Sequence, residues 1–506
     1  MILFFENLIG LMSFTSVTYL LFLALAVIIY YLLPGARTRA MWLLFVSSTF
    51  FMLYSPRWFW VICLVTLFTY VLGRWLGRIS SRTGRCWALG AGVTSLALLL
   101  VAVKYAGVAS GLANKLFAMT GVGWAMPVLQ LVMPLGISFW VFQTIAYLID
   151  VFRGRAEPIT NVLYFAASVI FFPIMAMGPI TRIDVLVPQL AKKHTFSYKG
   201  MQSGLLLIGW GFFKKLMIAD RLAVFVNTVF DNPHAYSGTY NGLLFGVAAV
   251  FFAVQLYTDF SGYTDIVRGS ARIFGVNLPI NFDAPYFARS AAEFWRKWHM
   301  TLMDWLKQYI YIPLGGNRKG VWRKRFNIMV TFAVSGLWHG AGLSYLVWGL
   351  LNGLYQVAGE VLAPLNGRIV KLFRIDRTTF AHKLFQTLLT FLLITIAWVF
   401  FRANTLSDAI HILSRMFIPT IWVFTDGSML EQGLNASELA IAYMSILLVW
   451  GVDFLKSRRG FDWYGWIVSQ PLYFRWFCYY ALIFVVMIFG HYGGMYDSAD
   501  FVYFKF

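Results

Sequence analysis

Met12–Pro34 reads MSFTSVTYLLFLALAVIIYYLLP, without one charged residue, and Arg37 and Arg39 follow close behind. A helix needs about 20 apolar residues to cross the hydrocarbon core of a bilayer. This stretch therefore sets the solvent of the chain as lipid. It does not read as a cleaved secretory signal, because no Lys or Arg occurs before Arg37 and Glu6 is acidic, so the basic leading region is missing. Met12 is a natural start for the first span, with residues 1–11 as an N-terminal addition.

The composition agrees. Of the 506 residues, 60% are hydrophobic, 19% aromatic and 12% charged, against about 25% charged in soluble domains. A soluble chain of this length would split into several domains, whereas one polytopic membrane domain is expected over 1–506. Candidate spans fall at 14–33, 40–55, 58–76, 87–106, 128–151, 161–180, 201–218, 241–259, 384–402, 438–455 and 472–490, about eleven helices by length and apolarity. Basic clusters follow the first span (Arg37, Arg39), the third (Arg74, Arg78, Arg82, Arg85) and the fifth (Arg153, Arg155). Another precedes the last (Lys456, Arg458, Arg459). Basic loops stay in the cytoplasm, so the N-terminus, the loop with Asp426, Glu431 and Glu438, and the C-terminal tail with Asp497 and Asp500 are expected in the periplasm. The net charge of +20 is spread over these short loops. That suits anionic lipid headgroups and phosphorylated small molecules, and argues against nucleic acid. Cys63, Cys86 and Cys478 stand alone, with neither a disulfide framework nor metal spacing.

Residues 326–358 are the exception to simple spans. RKGVWRKR (Arg318–Arg325) precedes them and GRIVKLFRIDR (Gly367–Arg377) follows, so both ends belong on the cytoplasmic side. Counted between those flanks the segment is too short for two crossings. A re-entrant hairpin is expected, turning near Gly336, Gly340 and Gly342, with His339 of SGLWHGAGLSYLVWG (Ser335–Gly349) near mid-membrane. Irregular backbone at that depth survives only inside protein or beside a water-filled cavity. An ionisable group there is a functional candidate; the plain alternative is an imidazole bonded to a helix carbonyl. FWRKWHMTLMDWLKQYIYIP (Phe294–Pro313) reads as an interfacial amphipathic helix carrying His299 after Trp295 and Trp298, where a histidine can be a simple anchor. Pro134 and Gly136 break the apolar run Met133–Gly154. YTDFSGYTD, with Asp259, Ser261 and Asp265, is expected to close the span 241–259 as a helix-end signal. No His-Glu-x-x-His pair, phosphate loop or G-x-S-x-G elbow is present.

Together PLGISFWVFQTIAYLIDVFRG, FFPIMAMGPITR, YTDFSGYTDIVRGSARIFG, FWRKWHMTLMDWLKQYIYIPLGGNR, GLWHGAGLSYLVWGLLNG and FFRANTLSDAIHILSRMF run in one order between Leu131 and Phe417. In this the chain resembles the membrane-bound O-acyltransferase family, in the bacterial branch that acetylates secreted polysaccharides. The resemblance implies an all-α polytopic fold with re-entrant and interfacial helices, and a motif-bearing core over 131–417. His339 would be the catalytic residue and His299 the second essential position, with Trp338, Trp298, Asp259 and Ser261 in support. It implies acetyl-CoA as a cytoplasmic donor, with no bound cofactor or metal. The acceptor would be a periplasmic protein or a polysaccharide such as alginate or cellulose, reached across the bacterial inner membrane. Arg318, Lys319, Arg323, Lys324 and Arg325 are placed to meet the donor's phosphates. His339, kept neutral by burial, would act as a general base, with an acetyl-histidine route as the rival. A polytopic transporter or export channel also breaks helices at mid-depth, but the paired repeats expected of one are missing here.

Overall fold

In a computed structural model the described residues are 13–121, 124–128, 133–236 and 242–492. Residues 1–11, the start of the motif core at Leu131, and Asp497 and Asp500 lie outside them. The described residues form helices joined by turns, with no strand. In order these are α1 (Val17–Leu32), α2 (Ala36–Tyr54), α3 (Phe59–Leu76), α4 (Arg82–Met119), α5 (Ile137–Phe152), α6 (Val162–Val169) and α7 (Ile183–Leu190). Then α8 (Tyr198–Phe212) runs through a π-helical segment, Phe213–Ala219, into α9 (Asp220–Asp231), followed by α10 (Gly242–Ile273), α11 (Ala291–Lys297) and α12 (Met300–Leu306). The remainder are α13 (Val321–His339), α14 (Leu343–Val361), α15 (Ala363–Leu372), α16 (Phe380–Arg402), α17 (Leu406–Arg415), α18 (Ala436–Arg459), α19 (Trp463–Ser469) and α20 (Leu472–Phe489). The chain divides into two compact units, one of residues 1–205 with 267–279, the other of 206–266 with 280–506.

Within the first unit the helix starts follow local chemistry. Ser16 Oγ accepts from Tyr19 N at 3.0 Å and Ser81 Oγ from Gly84 N at 3.0 Å, the capping role that short hydroxyl side chains fill. Gly136 starts α5 at φ +62°, and a Cβ there would lie 1.7 Å from the Met175 carbonyl oxygen. Only glycine fits both the left-handed backbone and the contact. The Pro134–Gly136 break is thus the entry to a buried helix. The span expected at 161–180 is not one helix. α6 stops at Val169, and a single turn, Phe172–Met175, carries Pro173 at its start, because a proline cannot continue the preceding hydrogen-bond ladder.

Six helices among the described residues are long and apolar enough to cross a membrane: Pro56–Leu76, Arg82–Met119, Gly242–Ile273, Phe380–Arg402, Ala436–Arg459 and Leu472–Phe489. The other expected spans are shorter, broken or more polar; α1 and α5, for example, are apolar but have 16 residues each. α10 does not end at 259. It has 32 residues, so Asp259, Ser261 and Asp265 lie within it and cap nothing. The interfacial helix expected over Phe294–Pro313 is broken at Trp298–His299 into α11 and α12. Trp295, Trp298, Leu302 and Leu306 are buried in the second unit, so this apolar stripe faces protein and not lipid.

The hairpin expected at 326–358 is longer than its basic flanks suggested. α13 and α14 have 19 residues each, about 28 Å of helix apiece, close to the roughly 30 Å core. The extra length comes from α13 beginning within the basic run and α14 continuing to Val361. The turn is at Gly340–Gly342, two of the three glycines expected there, while Gly336 lies inside α13. His339 therefore sits at the hairpin tip, a full helix length from Val321.

The two legs touch through backbone. A Cβ on Gly336 would lie 2.3 Å from the Tyr345 carbonyl oxygen, and one on Gly349 2.3 Å from that of Phe332. Gly336→Ala and Gly349→Ala should each lower stability in detergent by about 1–3 kcal/mol, the usual cost of overpacking. Gly359→Ala, which has open space, should leave the thermal midpoint unchanged or raised. A Gly336→Ala protein as stable as its parent would show that the legs are not in backbone contact.

Candidate functional site

α13 carries its last residue, His339, into a box of aromatic rings in the second unit. The imidazole meets Trp338 at 4.7 Å, Trp348 of α14 at 5.0 Å and Phe401 of α16 at 5.2 Å, all edge-on. Trp348 stacks on Trp398 at 5.6 Å, and Trp398 meets Trp298 at 5.1 Å. These rings are buried, and His339 itself is 3% exposed. The site has a polar component as well. Ser335 Oγ, Trp348 Nε1, Thr395 Oγ1 and Trp398 Nε1 are buried without a hydrogen-bond partner. Ser335 lies one helical turn before His339, and Thr395 and Trp398 lie nearly one turn apart on α16. Buried polar groups are nearly always paired in native proteins, by protein or by water. Four such groups lie on the helices that carry this box.

His299 reaches the same box from the joint between α11 and α12. Its ring lies 6.2 Å from Trp338 and 4.8 Å from Phe260 of α10. The backbone there is left-handed, φ +43° and ψ +52°, a conformation that costs a non-glycine residue energy and persists only where its surroundings enforce it. Asn281 does so. Its carbonyl accepts from Met300 N at 3.0 Å, and its Oδ1 accepts from Thr301 N at 3.2 Å and Thr301 Oγ1 at 3.0 Å.

In that position His299 caps α12, its Nδ1 accepting from Leu302 N at 3.3 Å. Burial pushes its pKa down to about 3, so the ring is neutral at pH 7. A neutral imidazole has one acceptor nitrogen and one donor. With Nδ1 committed as acceptor, the proton resides on Nε2. His299 thus presents Nε2–H as a hydrogen-bond donor.

Residues 151–402 match the membrane-bound O-acyltransferase family. Over 454 residues the chain is 34% identical to the probable alginate O-acetylase AlgI of Pseudomonas putida, covering 88% of this chain and 89% of that protein. The chain belongs to the membrane-bound O-acyltransferase family. It is a multi-pass membrane enzyme that transfers acyl groups to oxygen, which sets it apart from the transport proteins that share broken helices. It is also 35% identical over 314 residues to the peptidoglycan O-acetyltransferase of Helicobacter pylori, 57% of each chain. Similarity extends to the teichoic acid D-alanyltransferase of Bacillus subtilis, 27% over 245 residues, 46% of this chain and 60% of that one.

Of the positions singled out in this family member, His339, His299, Trp338 and Trp298 come together in one box. The basic run does not join them. Arg318, Lys319 and Arg323 are exposed around the opposite end of α13; Arg325, the nearest of the run, is about 21 Å of helix from His339. Arg323 donates to the Leu314 carbonyl at 3.2 Å, Lys324 pairs with Glu360, and Arg325 covers the Trp322 ring at 5.1 Å. Asp259 and Ser261 are bound to Lys215 and Lys214. Sequence reasoning missed those two lysines, together with Trp348, Trp398 and Phe401. The signal for the lysines was present: GWGFFKKLMIAD (Gly209–Asp220) places two adjacent charges inside an apolar run.

The depressed pKa of His299 has a consequence for acid stability. Below about pH 6.5 the unfolded chain binds a proton at this ring that the folded chain refuses until about pH 3. Stability is therefore undiminished above 6.5 and falls as pH drops, by about 1.4 kcal/mol per pH unit from this one group. His299→Gln should flatten that slope by one proton in detergent unfolding experiments. An unaltered slope would mean that the ring charges in the folded protein.

Proposed function

We propose that the protein moves an acetyl group from acetyl-CoA, on the cytoplasmic side of a bacterial inner membrane, to a hydroxyl of a secreted polysaccharide, directly or through a periplasmic protein. The carrying observation is His339, buried at the tip of a hairpin as long as the bilayer core is thick, on helices that also bear four polar groups without protein partners. The relatives support a polymer acceptor, since their names specify alginate, peptidoglycan and teichoic acid. The alginate relative is matched over most of both chains, which favours an exopolysaccharide such as alginate or cellulose.

In this reading His339 takes the proton of the acceptor hydroxyl as its oxygen attacks the thioester carbonyl. The carbon–sulfur bond breaks, the acetyl group stays on the acceptor oxygen, and the imidazolium returns its proton to the departing thiolate. No net proton is consumed. General-base assistance of this kind is worth roughly 10²–10⁴ in rate, and positioning two bound reactants adds to it. His299, with its proton on Nε2, is suited to stabilise the oxygen that gains charge in the tetrahedral intermediate. The donor's phosphates would rest on Arg318, Lys319, Arg323, Lys324 and Arg325, with the long thioester arm reaching along α13 to its tip. The exposed turn at Gly342–Leu343, just beyond His339, is the short way in for an acceptor. This arrangement goes with both chain ends in the periplasm.

His339→Ala should reduce acetyl transfer by at least about 10²-fold in protein that still extracts as a folded species. Ester-linked acetyl on extracellular polymer, measured by mass analysis in cells with and without the gene, reads both activity and acceptor. Undiminished acetylation by the alanine variant would end the proposal. Lys319→Ala combined with Arg323→Ala should raise KM for acetyl-CoA and leave kcat near its parent value. A changed kcat with unchanged KM would remove the basic run from donor binding.

A further inference from the structure

Lys214 and Lys215 are both buried, although they are adjacent in sequence. On a regular α-helix neighbouring side chains point about 100° apart, so two in a row do not readily face one partner helix. The π-helical segment Phe213–Ala219 loosens that spacing, a device frequent at functional sites. Both ammonium groups reach α10. Lys214 Nζ donates to Asp265 Oδ2 at 2.6 Å and to Ser261 Oγ at 3.0 Å. Lys215 Nζ donates to Asp259 Oδ1 at 2.7 Å and lies 2.7 Å from Asp220 Oδ1. Nearby the two backbones touch, since a Cβ on Gly211 would lie 2.5 Å from the Gly262 carbonyl oxygen.

The residues gripped by this clasp, Asp259 and Ser261, are the two neighbours of Phe260. Phe260 is wholly buried, and its ring meets His299 edge-on at 4.8 Å and Phe282 at 5.0 Å. Phe282 follows Asn281, the residue that holds the His299 joint in its left-handed conformation. Charge inside the protein is thus linked by a short chain of contacts to the orientation of one imidazole. Stability alone does not call for such charges, because well-packed apolar residues often serve as well as a buried ion pair or better. Directional bonds to two lysines define how α10 is rotated, which apolar packing alone would hold less strictly.

We propose that Lys214 and Lys215 are positioning residues. Acting through Asp259 and Ser261 they fix the rotation of α10, hence the place of Phe260, and hence the direction in which His299 presents its Nε2–H. The kinetic consequence rests on the acetyl-transfer reading; the effect on His299 does not.

The test uses full-length protein in nanodiscs, with Lys215→Met and Asp259→Leu combined (the apolar pair) in an Asp220→Asn background, so that no carboxylate of this cluster stays buried without its lysine, and Lys215→Arg as the conservative variant. Two readouts are taken: the rate at which diethyl pyrocarbonate modifies His299, followed by mass spectrometry, and kcat and KM for acetyl-CoA. The apolar pair should fold and extract normally, expose His299 to faster modification, and lose roughly 10- to 100-fold in kcat, the effect of a misplacement of about 1 Å, with KM unchanged. Lys215→Arg should restore slow modification and most of kcat. If the apolar pair fails to fold, Phe260→Leu, which removes only the ring contact, should give the same two changes. Parent-like modification and kcat in the folded variant would overturn the proposal. Faster modification of His299 in a protein whose parent transfers no acetyl group would uphold the positioning role and defeat the acetyl-transfer reading.

Discussion

In a hydrocarbon solvent every polar group must find its partner within the protein, and this constraint shapes the chain at each level. Backbone groups meet it by forming helices, and the described residues contain no other regular structure. Side chains meet it by pairing. Lys214, Lys215, Asp220, Asp259 and Asp265 satisfy one another between the π-helical segment and α10. Tyr257 donates to Asp453 at 2.6 Å, joining α18 to the same helix. Ser335, Trp348, Thr395 and Trp398, on the helices around His339, are among the buried polar groups that have no partner among the described residues.

The two histidines show how one residue type is held in two different settings. Both are buried and share Trp338 as a neighbour. His299 spends its Nδ1 on capping a helix, which settles its tautomer and makes it a donor. His339 ends its helix at a glycine turn, edge-on to Trp338, Trp348 and Phe401. The two rings lie on either side of one indole, that of Trp338. The basic run, by contrast, lies at the far end of α13.

Much of this could be read from the chain before it was folded. The uncharged run after Met12 and the low charged fraction specify a membrane helix bundle, because span length and apolarity are local properties. The glycines at 340 and 342 place the turn beside His339, because they are the residues most free to reverse the chain. The motif order between Leu131 and Phe417 points to the family. Other features were misread for identifiable reasons. Asp259 and Ser261 looked like a helix end since their lysine partners lie more than forty positions away. The Trp-rich stretch around His299 looked like one helix, since an amphipathic pattern gives the apolar face but neither the break at Trp298–His299 nor what covers that face. The hairpin legs run beyond 326–358, since α13 begins among the basic residues and α14 continues to Val361.

The sequence by itself determined the solvent, the helical class and the family, and it singled out the two imidazoles as candidates. Tertiary structure alone decided which nitrogen of His299 carries the proton, which rings enclose His339, and which carboxylates meet Lys214 and Lys215. The physical reason is range. Hydropathy and turn chemistry act over a few residues and can be read along the chain. A hydrogen bond to Nδ1, an edge-on ring contact or a buried ion pair depends on groups that only folding brings within about 3–6 Å of each other.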